Sequence, residues 1–297
     1  MSTPAPPFAA PPGLHDNPLS EPIPENGTFG EKAKAVAAVL VPPLIVFLFF
    51  IGLWELTSLV FIHPEKRFLL PPPQDIVQTG FLDHQNITEI LNGLWITTKA
   101  ALIGLALAIV IGMALAIAMS QAKWIERSIF PYAVILQTIP ILALVPVIGF
   151  VIGFNFPSRV LVCVLISIFP IITNTLFGLL SADQGQHDLF TLFKVNRWTR
   201  LWKLQLPAAM PSIFTGLRTS AGLAVVGAVV GDFFFKQGDP GIGVLIDLYS
   251  SQLESERLYA AVILASLLGV VIFVLVGFLN DRIVGRWAPS TRGGSSS

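Results

Sequence analysis

Charged and amide side chains inside long apolar stretches are the residues of this sequence best placed to act on a solute or an ion. Glu55 and Asp232 are carboxylates within apolar runs, Arg218 stands in the same run as Asp232, and Gln137, Thr138, Thr173, Asn174 and Thr175 add amides and hydroxyls to two others. In hydrocarbon such groups are costly unless they face other helices or a watery path, which makes Gln137, Thr138, Asn174, Arg218 and Asp232 candidate pathway residues. Pro140 and Pro146 join them, because QTIPILALVPVIGF sets two residues without a backbone donor inside an apolar helical pattern. The competing reading of these prolines is a packing kink with no further role. Glu55 lies near the end of its run, where interfacial water can reach it.

A second group of residues points outward. Between about Gln186 and Arg218 the chain carries Lys194, Arg197, Arg200 and Lys203, interleaved near helical spacing with Leu189, Leu192, Phe193, Trp198, Leu201 and Trp202. Such a segment has one apolar and one basic face. It can dock onto a partner protein, or it can simply lie on an anionic membrane surface. Leu206 precedes Pro207, and helix is disfavoured before proline, so a short helix is expected to end near Gln205.

The elements that position these residues follow from composition. The chain is 54% hydrophobic and 12% charged with no net charge, and its mean hydropathy is +0.74. Soluble domains carry about a quarter charged residues, so this is an all-α polytopic membrane protein with no basic excess to suggest nucleic acid. Apolar runs at about 36–62, 94–119, 129–154, 160–180, 213–235 and 259–283 predict six transmembrane helices, each long enough for a core of roughly 30 Å. Pro42 and Pro43 are expected to kink the first run or mark where its regular part begins. A loop is expected from about His63 to Asn92. Residues 1–30, rich in proline and small polar residues, read as a disordered tail, 31–287 as the membrane domain with a loop at 181–212, and 288–297 as a second disordered tail.

Even parity puts both termini on one side. Lys32, Lys34, Lys123, Arg127, Lys194, Arg197, Arg200, Lys203, Arg282, Arg286 and Arg292 fall on the same side, against Lys66, Arg67, Lys99, Arg159, Lys236 and Arg257 on the other. The heavier set belongs inside, so both termini and the basic loop are expected to be cytoplasmic. Gly222, Gly227 and Gly231 would allow close helix approach. Cys163, the single cysteine, excludes an intrachain disulfide. No Gly-Lys dipeptide occurs, so the phosphate-cradling loop of an ATPase is absent, as are HExxH, paired-cysteine and GxSxG patterns. An ion-coupled carrier would need carboxylates in relay positions, and the sequence offers chiefly Glu55 and Asp232.

The loop's residue order resembles the EAA loop of permease subunits of bacterial ATP-binding-cassette importers, a pattern of Glu-Ala-Ala, three residues, Gly, nine residues and Ile-x-Leu-Pro. Counting back from Leu206-Pro207, Asp188 stands at the acidic position, Leu189 and Phe190 replace Ala-Ala, and Lys194 replaces the Gly. In the family the loop forms two short helices that meet at the Gly and dock in a groove of the ATPase. Lys194 lacks a glycine's freedom at positive φ, and Asn196 tolerates that region better than most, so the sequence leaves the bend open between the two. LLPPPQDIV, QTIPILALVPVIGF, LPAAMPSIFTGLR and VVGDFFFKQGDPGIGVLI are similar to the nitrate, taurine, sulfonate and bicarbonate branch of these permeases.

The resemblance implies a multi-pass subunit of the bacterial inner membrane with type I, MetI-like architecture. It also implies ATPase subunits below, with ATP and magnesium bound there and no cofactor on this chain, a solute-binding protein outside, and a homodimer or pseudo-dimer of permeases. Asp188, Leu189, Phe193, Lys194, Arg197, Trp198, Leu206 and Pro207 would carry the coupling contact. The ending GDFFFKQGDPGIG is similar to members that handle pyrimidine precursors of thiamine, with sulfonates, taurine or nitrate as the alternative solutes.

Overall fold

A computed structural model describes residues 29–284. The stretches 1–28 and 285–297, which hold most of the two expected tails together with Arg286 and Arg292, lie outside the described residues. Phe29 and Gly30 already belong to the first helix. The described residues form helices and short connecting segments, without strands, and divide into two compact units at Pro73.

The first unit holds α1, Phe29–Leu56, which is apolar all round and runs through Pro42 and Pro43 without interruption. It widens into a π turn, Thr57–Phe61, and is followed by a 3₁₀ turn, Pro64–Leu69. The return is pinned by side chains that satisfy backbone carbonyls: Ser58 Oγ donates to Leu70 O at 2.7 Å, and Trp54 Nε1 to Pro71 O at 3.1 Å. Glu55 is half-buried two residues before the π turn. The short α2, Pro73–Ile76, leads into the second unit.

There the chain forms α3 (His84–Gln121), α4 (Lys123–Thr138), α5 (Ile141–Ile152), α6 (Phe156–Leu180), α7 (Gln184–Leu192), α8 (Arg197–Arg200), α9 (Leu206–Phe234), α10 (Ile242–Gln252) and α11 (Ser255–Val284). The loop expected up to Asn92 is largely helix. Asp83 caps α3 by accepting from the amides of Gln85 and Asn86 at 3.0 Å each, and α3 therefore starts about ten residues before the second apolar run.

Among the described residues five helices are long and apolar enough to cross a membrane, and α4 with α5, bent by 100° at their junction, pass the same test together. Helix direction decides the count. Gly104 and Gly112 of α3 meet Cys163 and Ile171 of α6 in the same order, so the two helices run parallel. A chain that leaves α3 at one end and starts α6 at the other must return between them, and only α4 and α5 are available. The bent pair is one crossing, which gives the expected six. The third span is broken at the first of its two prolines, as their place in an apolar helical pattern suggested, because Pro140 holds Ile139 at an extended ψ of 125°. Pro146 leaves α5 unbroken.

The same rule fails at Pro207. Leu206 is helical (φ −63°, ψ −47°), and the expected stop near Gln205 is corrected to a continuous passage into α9. The π turn at Leu201–Gln205 explains it: the Leu206 amide reaches back five residues to Leu201 O, and the widened turn makes room for the proline ring. Burial of Leu201 beside Leu179, Ala209 and Ile213 holds the turn in place.

The core is the antiparallel crossing of α6 and α9 with α3 laid beside them. Cys163 sits at the triple point, where a Cβ on Gly104 would come within 2.3 Å of Cys163 Cβ and one on Gly227 within 2.9 Å of Cys163 Cα. Gly231 packs on Arg159 in the same way, but Gly222, expected to join this surface, has nothing within 4 Å and faces an open apolar groove.

Candidate functional site

The basic loop is built by local capping chemistry. Asp183 starts α7 by accepting from the Gly185 amide at 2.7 Å, and Asn196 starts α8 by accepting from the Trp198 amide at 3.3 Å. Between them Lys194 takes φ +49°. The Lys194 amide donates to Thr191 O and the Val195 amide to Phe190 O, both at 3.0 Å, the bond pair that closes a helix around a left-handed residue. The bend therefore stays at Lys194, in the place usually given to glycine, and Asn196 serves as a cap. Arg200 Nη2 donates to Thr191 Oγ1 at 2.9 Å and ties α8 back to α7.

This two-helix hairpin leaves large apolar groups in the open. Leu189, Phe193 and Trp198 are exposed, as are Leu192 and Trp202, with Phe193 at 74%. Asp188 is exposed on α7, where Gln184 Nε2 donates to its Oδ1 at 3.2 Å, and Lys194 and Arg197 are exposed beside the apolar groups. Leu206 and Pro207 are half-buried at the join with α9. Lys123 and Arg127 at the start of α4, and Arg282 near the end of α11, lie at the same end of the second unit, because α11 runs antiparallel to α9.

The pathway candidates separate into three places. Gln137 and Thr138 close α4, and Pro140 opens α5 at the 100° break. Gln137 and Ile139 line a cavity of about 320 Å³ with Leu165, Phe169, Pro170 and Leu223. Pro146 lies further along α5. Asn174 is half-buried on α6, one turn beyond Pro170, whose carbonyl accepts from its Nδ2 at 2.8 Å. Arg218 is elsewhere, exposed on α9 with its guanidinium 4.2 Å from the centre of the Phe273 ring.

Asp232 is in a third environment. It is fully buried and ion-paired at 3.2 Å with Arg159, itself 1% exposed. Thr97 Oγ1 of α3 donates to Asp232 Oδ2 at 2.5 Å, the Gly243 amide donates to the same oxygen at 3.4 Å, and the Ile242 amide donates to Thr97 Oγ1 at 2.8 Å. One carboxylate thus joins α3, α6, α9 and the start of α10. Arg159 also donates to the carbonyls of Phe235 (2.7 Å), Gln237 (3.2 Å) and Asp239 (3.0 Å), clamping the segment after α9. Sequence reasoning missed Arg159 and Thr97. The signal was present, since an arginine and an aspartate inside apolar runs are each affordable only as partners.

The profile of binding-protein-dependent transport system inner membrane components matches residues 108–289. The chain is similar to the formylaminopyrimidine transport permease protein of Halalkalibacterium halodurans, 32% identical over 82% of this chain and 94% of that one. It is 33% identical to the riboflavin transport system permease protein of Chloroflexus aurantiacus over 75% of this chain and 82% of that one. The putative aliphatic sulfonates transport permease protein of Escherichia coli is 30% identical over 81% and 89% respectively. Inward-facing conformations of the MetNI methionine ABC transporter share the fold, with a TM-score of 0.59 at 16% identity, covering 70% of this chain and all of that one.

Proposed function

The chain belongs to the binding-protein-dependent transport family of inner membrane components, and on that premise we propose that its hairpin at Gln184–Gln205 is the contact through which a separate ATPase drives solute import. It is a multi-pass, non-enzymatic permease subunit of the nitrate, sulfonate and thiamine-precursor branch of ATP-binding-cassette importers. The observation that carries the coupling assignment is the hairpin itself. Exposed Leu189, Phe193 and Trp198 flank exposed Lys194 and Arg197 on a rigidly capped pair of helices, and such a face needs a partner. ATP binding closes the ATPase pair, and the hairpin passes that motion into α9, exchanging inward-open and outward-open states.

The cation distribution supports a cytoplasmic hairpin with both termini on its side, and two copies of the chain would enclose the path. ATP and magnesium would sit on the ATPase, and a solute-binding protein would deliver cargo from outside. The broken crossing at Gln137–Pro140, with Asn174 nearby on α6, is the proposed lining of that path. The solute proposed is a pyrimidine-type heterocycle related to thiamine precursors, a reading supported by the similarity to the formylaminopyrimidine permease; a sulfonate is the alternative. An ion-coupled carrier is less well supported, because Asp232 is locked in an ion pair and Glu55 stands near a helix end. Uptake into proteoliposomes that carry this chain, its ATPase and its binding protein tests the proposal. Accumulation of a labelled aminopyrimidine only with ATP supports it, and uptake driven by an ion gradient without ATP overturns it.

A further inference from the structure

Beside the Arg159 clamp, at the end of the second unit opposite the basic hairpin, lies a cavity of about 450 Å³, a size that suits a small polar group. Lys99, Asn155 and Asp239 are among the residues that line it, with Ile96, Ile103 and Phe156 as apolar neighbours. Three features of this cavity are left unbalanced.

The first is Lys99. It stands directly before Ala100–Met119, an uncharged stretch of α3 that rises about 30 Å, the thickness of the hydrocarbon core. Its ammonium is therefore at the level of lipid headgroups, and Ile103, one turn deeper, is at the level of acyl chains. Lys99 is half-buried, and its ammonium has no hydrogen bond or ion pair among the described residues. Arg159 also borders the cavity, but its nitrogens are already committed to Asp232 and three carbonyls. Lys99 is the cation left to bind something.

The second is Asp239. It is exposed and borders the same cavity, yet no ion pair within 4.0 Å joins it to Lys99. The third is Asn155 Oδ1, a buried acceptor without a donor, whose amide nitrogen makes only a 3.4 Å bond to Ile152 O. A cation, an anion and an orphan acceptor around one space with an apolar wall fit a ligand that carries both a phosphate and an amine. A phosphate would balance Lys99, and an ammonium would reach Asp239 and donate to Asn155 Oδ1.

We propose that this cavity holds the phosphoethanolamine headgroup of a membrane lipid in the leaflet opposite the hairpin, with Lys99 on the phosphate and Asp239 and Asn155 on the amine. A purely anionic headgroup would leave Asp239 repelled and Asn155 Oδ1 unpaired. A trimethylated amine has no N–H to give to Asn155.

The test uses the full-length protein in detergent, titrated with phosphatidylethanolamine, phosphatidylglycerol or phosphatidylcholine and read by native mass spectrometry. The wild type is expected to hold phosphatidylethanolamine at least fivefold more tightly than either other lipid. Asp239→Asn is expected to bring ethanolamine and glycerol lipids to within twofold of each other, and Lys99→Ala to weaken both, with Lys99→Arg restoring them. Soluble phosphoethanolamine in excess separates the two sources of this chemistry: retention of bound lipid supports the lipid, and its displacement at equal affinity overturns the lipid assignment in favour of a soluble ligand. Equal binding of the three lipids by the wild type overturns the proposal, as does an unchanged ethanolamine-to-glycerol ratio in Asp239→Asn, a surface variant that decides the matter even if Lys99→Ala is not recovered folded.

Discussion

Arg159 of α6 and Asp232 of α9 meet at 3.2 Å with neither side chain open to solvent, and the same aspartate accepts from Thr97 of α3 and from the first turn of α10. The pair thus joins four helices of the second unit through polar contacts. It also fixes the start of α10: a Cβ on Gly241 would fall 2.1 Å from Asp232 Oδ2, so the backbone there passes directly against the carboxylate.

Removing one partner of this pair leaves a buried charge without compensation. Asp232→Asn or Arg159→Met is expected to destabilise the protein by about 3–5 kcal/mol, read as a lower thermal midpoint in detergent. The double variant Arg159→Met with Asp232→Leu should recover more than half of that loss, since two apolar groups carry no desolvation cost. A double variant as unstable as the worse single one would show that the hydrogen bonds to Thr97 and the segment after α9 matter more than the charges.

Lys194 at φ +49° carries a cost that glycine would not, roughly 1 kcal/mol. Lys194→Gly is therefore expected to slow limited proteolysis between α7 and α8. Lys194→Val, which is branched at Cβ and tolerates this region poorly, should speed cleavage and lower uptake. Faster cleavage in the glycine variant would argue against a strained bend.

Charge reversal on the hairpin tests the docking face. Arg197→Glu combined with Arg200→Glu is expected to leave the permease inserted while reducing ATP-dependent uptake in vesicles at least tenfold. Because Arg200 also holds Thr191, Arg197→Glu alone separates loss of contact from loss of hairpin shape. Wild-type uptake by the double variant rules the contact out.

Cysteines placed at Gln137 or Leu142 in a Cys163→Ala background should react with small water-soluble thiol reagents, at rates that change when ATP traps the complex. Both residues are exposed around the break between α4 and α5. Unreactive cysteines in every state, with transport intact, would make Pro140 a packing feature and put the path elsewhere.

Topology has its own check. Labels at Ser2 and Ser296 should be unreachable from outside intact cells, whereas a label at Gln85, at the start of α3, should be reached. Labelling of either terminus from outside would place the hairpin on the wrong side for an ATPase.

Much of this architecture was legible because hydrocarbon tolerates so little. Six apolar runs became six crossings, and the acidic, basic and proline positions of the hairpin were countable from Pro207. What was hidden depended on contacts between distant residues. Pro140 and Pro207 obey the same local rule, yet only Pro140 breaks its helix, because the π turn at Leu201–Gln205 and the burial of Leu201 rescue the other. Arg159 looked like one more cation at a span end until the fold laid Gly231 against it and brought Asp232 within reach. Gly222 and Gly227 look alike in sequence, and only the crossing with α6 separates a contact glycine from one that faces a groove.

The unbroken join of hairpin and α9 makes the helix a lever. Both of its internal prolines fall in its first two turns, so from Ser212 to Phe234 it is a proline-free rod of roughly 33 Å. A tilt of ~3–4° about the middle of that rod moves each end by about 1 Å. Its far end is riveted through Asp232 to Arg159 and from there to the segment Phe235–Asp239, so a small displacement applied at one face of the membrane arrives at the other with no joint in which to be lost.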